Sequence, residues 1–194
     1  MMLFKRRAFI GSLAALAAAP LACFGAAEDF SVPVLMASLA QVRSARAHFV
    51  EKRYLSVLRK PVETMGVLLY EAPGRLEKLV QKPKPERMLL EGDVLTLETD
   101  NGRKRKTMSL AEIPQLAALV GALRGTLAGD MEMLARYFTV SLDGPQERWR
   151  LTLTPMESSS LVRFVRIFGA GVDLTAVEVH QRDGDRSVML MKKN

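Results

Sequence analysis

The chain is poor in the residues that build reactive sites. Among 194 residues it has one cysteine and two histidines. Cys23 falls in an N-terminal segment read below as a cleaved leader, so the exported protein has no disulfide and must stand on its core alone. His48 and His180 sit in separate strand-like runs beside Phe49 and Val179. With no cysteine and no closely spaced carboxylate they make a poor metal site and a poor acid–base pair. Ser158-Ser159-Ser160 lacks the Gly-x-Ser-x-Gly setting of an activated serine, and Glu91 and Asp93 flank a turn glycine that accounts for them. The expectation is a protein with no catalytic residue, no metal and no cofactor.

Net charge is also small once the leader is removed. Lys5, Arg6 and Arg7 precede an uncharged run over residues 8–22, the layout of a signal peptide, with small residues Gly25 and Ala27 ahead of Glu28. That run is shorter than the roughly 20 residues a membrane span needs. Cleavage after Ala27 gives residues 1–27 as signal and 28–194 as one domain. Arg6-Arg7-Ala8-Phe9-Ile10 also fits a twin-arginine signal, so both the Sec and twin-arginine routes to the periplasm stay open. Pro20-Leu21-Ala22-Cys23 fits a lipidation site badly, because proline stands where an aliphatic residue is wanted. The leader takes three basic charges and no acidic one, so 28 basic residues become 25 against 21 acidic and the net charge falls from +7 to +4. Such a small charge of mixed sign, with aromatics at only 6%, argues against a nucleic-acid partner.

What is present is alternation. After Ser31, a possible cap, and Pro33, Val34, Leu35, Leu39 and Val42 recur at helical spacing up to about Ser44. Period-two runs follow at 47–58, 62–70, 75–81, 86–90, 94–99 and 103–108, divided by turn residues such as Ala72-Pro73-Gly74 and Asp100-Asn101-Gly102. Ser109-Leu110-Ala111-Glu112 reads as a capping box opening a helix with Leu116, Leu119, Val120 and Leu123 on one face, and Asp130 reads as the cap of a shorter one. Strands resume at 138–142, 148–154, 161–168, 174–181 and 186–192. The fold class is α+β: one curved antiparallel sheet of about eleven strands with helices on one face.

The candidate site is a surface. Val67, Leu69, Leu95, Leu97, Trp149, Leu151 and Val177 are taken as inward-facing strand positions, and Leu35, Leu39, Leu116, Leu119 and Leu123 as the facing helical stripe. Nine of the 11 methionines lie beyond Met1 and Met2. Their flexible thioethers suit a pocket that repacks around chains of varying shape, and equally an ordinary core; periodicity does not separate a hollow interior from a filled one. Arg103-Lys104-Arg105-Lys106 reads as a solvated edge strand, or as a contact for anionic headgroups or an acidic partner.

The order of elements, with Tyr70-Glu71-Ala72-Pro73-Gly74-Arg75-Leu76, Leu90-Glu91-Gly92-Asp93-Val94-Leu95, Phe138-Thr139-Val140-Ser141-Leu142, Leu151-Thr152-Leu153-Thr154-Pro155 and the stretch Val177-Glu178-Val179-His180-Gln181-Arg182-Asp183-Gly184-Asp185-Arg186, resembles the LolA family of periplasmic lipoprotein carriers. The resemblance implies an unclosed β-barrel with helices across its concave face. It also implies non-covalent transport of acylated cargo, lipoprotein or (glyco)lipid, between inner- and outer-membrane partners by a monomer. The family's arginine before the proline, which holds the helical lid shut, is Ala72 here, so that latch is either missing or supplied elsewhere, with Arg75 as one candidate. The chain also ends at Asn194 without the longer C-terminal tail of some carriers. Two other functions fit less well: a sensor of mislocalised lipoproteins, which needs a further partner-binding domain, and an acyltransferase or hydrolase, which needs a nucleophile or base in the cavity.

Overall fold

The structure, a computed structural model, describes residues 29–100, 102–157 and 160–193. The leader with its basic triplet, Cys23 and the cut after Ala27 lies outside the described residues, as do Asn101, Ser158, Ser159 and Asn194. Helix α1 (Val32–Leu39) leads into strands β1 (Ser44–Tyr54), β2 (Val62–Glu71), β3 (Arg75–Lys82), β4 (Glu86–Glu91), β5 (Val94–Thr99) and β6 (Lys104–Ser109). A 3-10 turn (Leu110–Glu112), α2 (Pro114–Ala128) and α3 (Met131–Tyr137) follow, then β7 (Phe138–Asp143), β8 (Trp149–Pro155), β9 (Val162–Ala170), β10 (Asp173–Gln181) and β11 (Arg186–Lys193).

All eleven strands form one antiparallel sheet in the order β6-β5-β4-β3-β2-β1-β11-β10-β9-β8-β7. The first and last strands meet in its middle, and β6 and β7 are its two outer strands, so the barrel is unclosed. The inserted helices therefore run from one outer strand to the other and connect the edges that the ladder leaves apart.

Three local expectations need correction. Helix α1 stops at Leu39 rather than near Ser44, because Ser44 and Ala45 are already paired with Glu71 and Tyr70 in β2. Ser31 takes the N-cap position without a side-chain hydrogen bond, while Pro33 lies in the first turn as expected. The Ser109 hydroxyl does accept from the Ala111 N–H, but it caps only the 3-10 turn. Pro114 starts the helix proper, since a proline holds the residue before it out of helical geometry and Ile113 sits at φ −133°, ψ 73°. Asp130 caps α3 by accepting from the Met133 N–H.

Register decides which side chains face inward. Directly paired residues of an antiparallel sheet share a face. Ala45, Tyr70, Leu76, Leu90, Leu95 and Met108 form one transverse row, and Ala47, Leu68, Lys78, Met88 and Leu97 the next row on the same face. Val67 pairs with His48 and Leu79, and Leu69 with Arg46 and Glu77, so both belong to the opposite face from Leu95 and Leu97. The inward residues of β2 are Leu68 and Tyr70, one position out of step with the expectation.

The inner face carries two packed clusters. The larger joins Leu35, Met36 and Leu39 of α1, Ala122 of α2 and Leu134 of α3 to Trp149, Leu151, Leu153, Val165, Ile167, Val177 and Val179 of the later strands. The smaller joins Leu90 and Leu95 to Leu110 and Val120, with Leu76, Met88, Leu97, Met108 and Leu116 against it. Helix α2 contributes to both, so it lies across the sheet with one support on each side.

Candidate functional site

Between the two clusters the interior is not filled. A cavity of about 400 Å³ lies beneath α2, which roofs it with Leu116, Leu119, Val120, Leu123 and Leu127, a single stripe at helical spacing. Its walls include Ala45, Ala47, Leu68, Tyr70, Leu76, Met88, Leu90, Val177, Met189 and Met191. That volume falls within the roughly 300–1,000 Å³ usual for ligand pockets.

Of the residues expected to line a pocket, Leu39, Leu95, Leu116, Leu119, Leu123 and Val177 border this space. Leu69 borders it as well, although its register places its side chain with Val67 on the other face. Leu35, Trp149 and Leu151 are instead sealed in the larger cluster, at 1%, 1% and 0% exposure, and Leu97 packs with the smaller one. Trp149 is held especially firmly. Its indole Nε1 donates to the Gly171 carbonyl at 2.8 Å, and its ring lies so close over Gly169 that a Cβ there would be 2.2 Å away.

Several polar groups at the cavity went unnoticed in the sequence. Glu51, 8% exposed, is paired with Lys78 and also accepts from the Thr64 hydroxyl at 3.3 Å. The Lys78 ammonium lies 5.0 Å from the centre of the Phe49 ring, so the cation is met by an aromatic face as well as a carboxylate. Lys193 and Asp173 pair across β11 and β10 at 2.7 Å, and both border the cavity. Tyr70 is 5% exposed, and its hydroxyl is buried without a hydrogen-bond partner. Burial raises the Tyr70 pKa above its ordinary 10.0, and the charge of Arg43 pulls the other way.

Helix α2 is fixed to the strands by its own arginine. Arg124 Nη1 donates to the Gly92 carbonyl at 2.8 Å and lies 3.4 Å from an Asp93 carboxylate oxygen. A Cβ on Gly74 would approach the Arg124 side chain to 2.8 Å, so the β2–β3 turn and the helix are in contact. Arg75, the candidate substitute for the family's latch, is engaged with Glu71, Glu91 and Glu77 at 3.3, 3.1 and 3.7 Å, all strand residues. At the other end of α2, Gly129 adopts φ +64° and a Cβ there would sit 2.2 Å from the Met36 carbonyl oxygen, which binds the helix terminus tightly to α1.

The residues weighed for catalysis are dispersed. His48 pairs with Val67 on the outer face; His180 stacks on Phe164 with ring centres 4.4 Å apart. The Ser160 carbonyl accepts from Arg182 Nε at 2.9 Å. Among the described residues no group of three or more His, Cys, Asp or Glu is placed to hold a metal ion. Of the basic run, Arg103 lies in the turn before β6 and Lys104, Arg105 and Lys106 fall on β6, one of the two outer strands, where Lys104 and Arg105 are exposed and face Asp100 and Glu98 at 3.3 and 3.7 Å.

No functionally curated protein matches the chain in sequence. Among solved structures, a LolA superfamily protein from Nitrosomonas europaea aligns with a TM-score of 0.43 at 10% identity, over 84% of this chain and 92% of that one. A putative outer membrane lipoprotein-sorting protein domain from Vibrio parahaemolyticus aligns with a TM-score of 0.46 at 8% identity, over 84% and 89%. A family model described as outer membrane lipoprotein carrier protein LolA-like matches residues 24–193, nearly the whole of the described chain with its open sheet and helical cover, and the chain belongs to that LolA-like family.

Proposed function

We propose that the protein is a periplasmic carrier that takes the acyl chains of a lipoprotein or lipid into the cavity beneath α2 and carries them, without chemistry, towards the outer membrane. Membership of the LolA-like family supports a lipoprotein-binding role. The observation that carries the reading is the unfilled apolar space between two well-packed clusters. Interiors are ordinarily packed to near crystal density, and an apolar pocket of this size leaves the side chains that line it without packing partners. An acyl chain restores them, with about 0.8 kcal/mol per buried methylene.

Entry requires α2 to lift. The helix rests on the smaller cluster only through the side chains of Leu116, Val120 and Arg124, whereas its C-terminal turn is packed backbone to backbone against α1 at Gly129, so the end near Leu116 is the less firmly held and the one that lifts. Loading is then a population shift towards a state with α2 raised, driven by the burial of the guest. Donor and acceptor membranes supply the partners, and one copy of the chain suffices to enclose the cargo.

Native mass spectrometry of the protein purified from its own periplasm, with organic extraction, tests this directly. A bound acylated species is expected. Ala47→Phe, which puts a ring into the cavity, should abolish that species while leaving the fold intact by circular dichroism. Protein that carries no acyl species and takes up none when offered palmitate would sink the proposal.

A further inference from the structure

The apolar cavity has a polar end. Ala45 and Ala47 carry the smallest side chains on the inner face of β1, and register surrounds them with polar groups: Tyr70 opposite Ala45, Lys193 opposite Ala47, and Lys78 two strands away in the same row. Arg43 lies immediately ahead of β1 and is exposed at the recess described next. A second recess adjoins the apolar one; its charged lining is Arg43, Arg46, Arg75 and Lys193 against the carboxylates Glu71 and Glu77, and it shares Ala45, Tyr70 and Lys193 among others with the apolar cavity.

The charges at this end do not cancel. Lys78 is matched by Glu51 and Lys193 by Asp173, while the carboxylates Glu71 and Glu77 are both engaged by Arg75. Arg43 has no carboxylate in ion-pair range among the described residues, yet its charge acts on the Tyr70 phenol. The Tyr70 hydroxyl is the second unmet group, a buried donor with nothing to donate to. Leaving such a donor unpaired costs about 1–3 kcal/mol, so its retention at the edge of a ligand-sized cavity points to a guest atom that accepts from it.

We infer that this end of the cavity binds the anionic headgroup of an amphiphile, with Arg43 as the free cation and Tyr70 as the neutral donor, so that the preferred cargo joins acyl chains to a phosphate or carboxylate. The inference rests on the reading of the apolar cavity as an acyl-chain site. It adds a chemical class: a neutral glyceride fills the apolar part and its oxygens can accept from Tyr70, but it leaves the charge of Arg43 unmet. A negatively charged lipid meets all three, and charge-assisted hydrogen bonds are the stronger kind.

The test compares two amphiphiles with the same sixteen-carbon chain, both below their micellar concentrations, on delipidated protein: 1-palmitoyl-lysophosphatidylglycerol and neutral 1-monopalmitoylglycerol. The anionic lipid should bind at least about tenfold more tightly, a difference of about 1.4 kcal/mol. Arg43→Gln should remove that preference and leave the affinity for monopalmitoylglycerol unchanged. Lys193→Gln, at the exposed end of the last strand, should reduce it a few-fold and serves as the second variant should the first fold poorly. Equal affinities in the wild type, or a preference that survives Arg43→Gln, overturns the headgroup site while the acyl cavity stands. Failure of both amphiphiles to bind removes the cavity reading itself. Inorganic phosphate is the remaining arm: if it binds alone as tightly as the lysolipid, the site takes free anions and the headgroup assignment is wrong.

Discussion

Arg124, on the roofing helix, donates to the backbone carbonyl of Gly92 in the turn between β4 and β5, 2.8 Å away. The bond spans the line along which the helix must separate from the sheet, and it exists only while the two are together. Removing it lowers the cost of opening by about 1 kcal/mol, the usual net worth of such a bond. Arg124→Ala should therefore lower the melting temperature of the empty protein by a few degrees and speed the release of bound palmitate several-fold. Stopped-flow displacement reads the rate, and an unchanged rate would show that α2 does not gate the cavity.

Glu51 and Lys78 give a prediction of opposite kind for single and double changes. Breaking a buried pair leaves an uncompensated charge and costs about 3–5 kcal/mol, whereas replacing both partners by neutral groups is often harmless. With side chains 10% and 21% exposed, some of that cost is relieved by water, so about 3 kcal/mol is expected for Lys78→Met. The Glu51→Gln/Lys78→Met double variant should recover most of it. Urea unfolding of the two single variants and the double gives the coupling energy, and additive losses would mean the pair does not act as one.

Tyr70 sets a pH dependence. Burial favours the neutral phenol in the folded state, so the folded pKa lies above the unfolded 10.0. Above pH 10 the unfolded chain gives up this proton first, and stability is then lost as pH rises through the folded value. Tyr70→Phe removes that loss, and it removes the unpaired hydroxyl as well, so at pH 7 the variant should be as stable as the wild type or more so. Melting curves at pH 7 and above pH 10 check both parts; a destabilised variant at neutral pH means the hydroxyl has a partner.

Trp149 reports on the half of the molecule that is full. Its indole is enclosed at 1% exposure and takes no part in the cavity wall. Saturating the protein with palmitate should leave its emission at the same blue-shifted wavelength, while Trp149→Ala should cost about 3–5 kcal/mol by leaving a void in the larger cluster. A marked spectral shift on loading would place the guest among these residues after all.

The succession of strands along the chain, the helical insert and the stripe from Leu116 to Leu123 were legible because each rests on local chemistry: turn residues, a proline, a period. The hollow was not. Leu35, Trp149 and Leu151 have the same apolar pattern as Leu39, Leu95 and Val177, and only the approach of α1 and α3 to the later strands decides which group is packed and which borders empty space. The face of β2 was unreadable for a plainer reason: Val67-Leu68-Leu69-Tyr70 is apolar at every position, so alternation has nothing to count and pairing with Ala45 and Ala47 sets the phase. Arg124 reaches a carbonyl 32 residues earlier in the chain, and no local motif announces such a contact.

Gly129 decides where the molecule can bend. With its backbone in the left-handed region and no room for a side chain against the Met36 carbonyl, the last turn of α2 is clamped to α1. The helix is thereby made into a lever with its pivot at the C-terminal end, so that a displacement too small to disturb Trp149 becomes a wide gap above Leu95. On the function proposed above, such a lever would let cargo be exchanged while the half that keeps the molecule folded stays still.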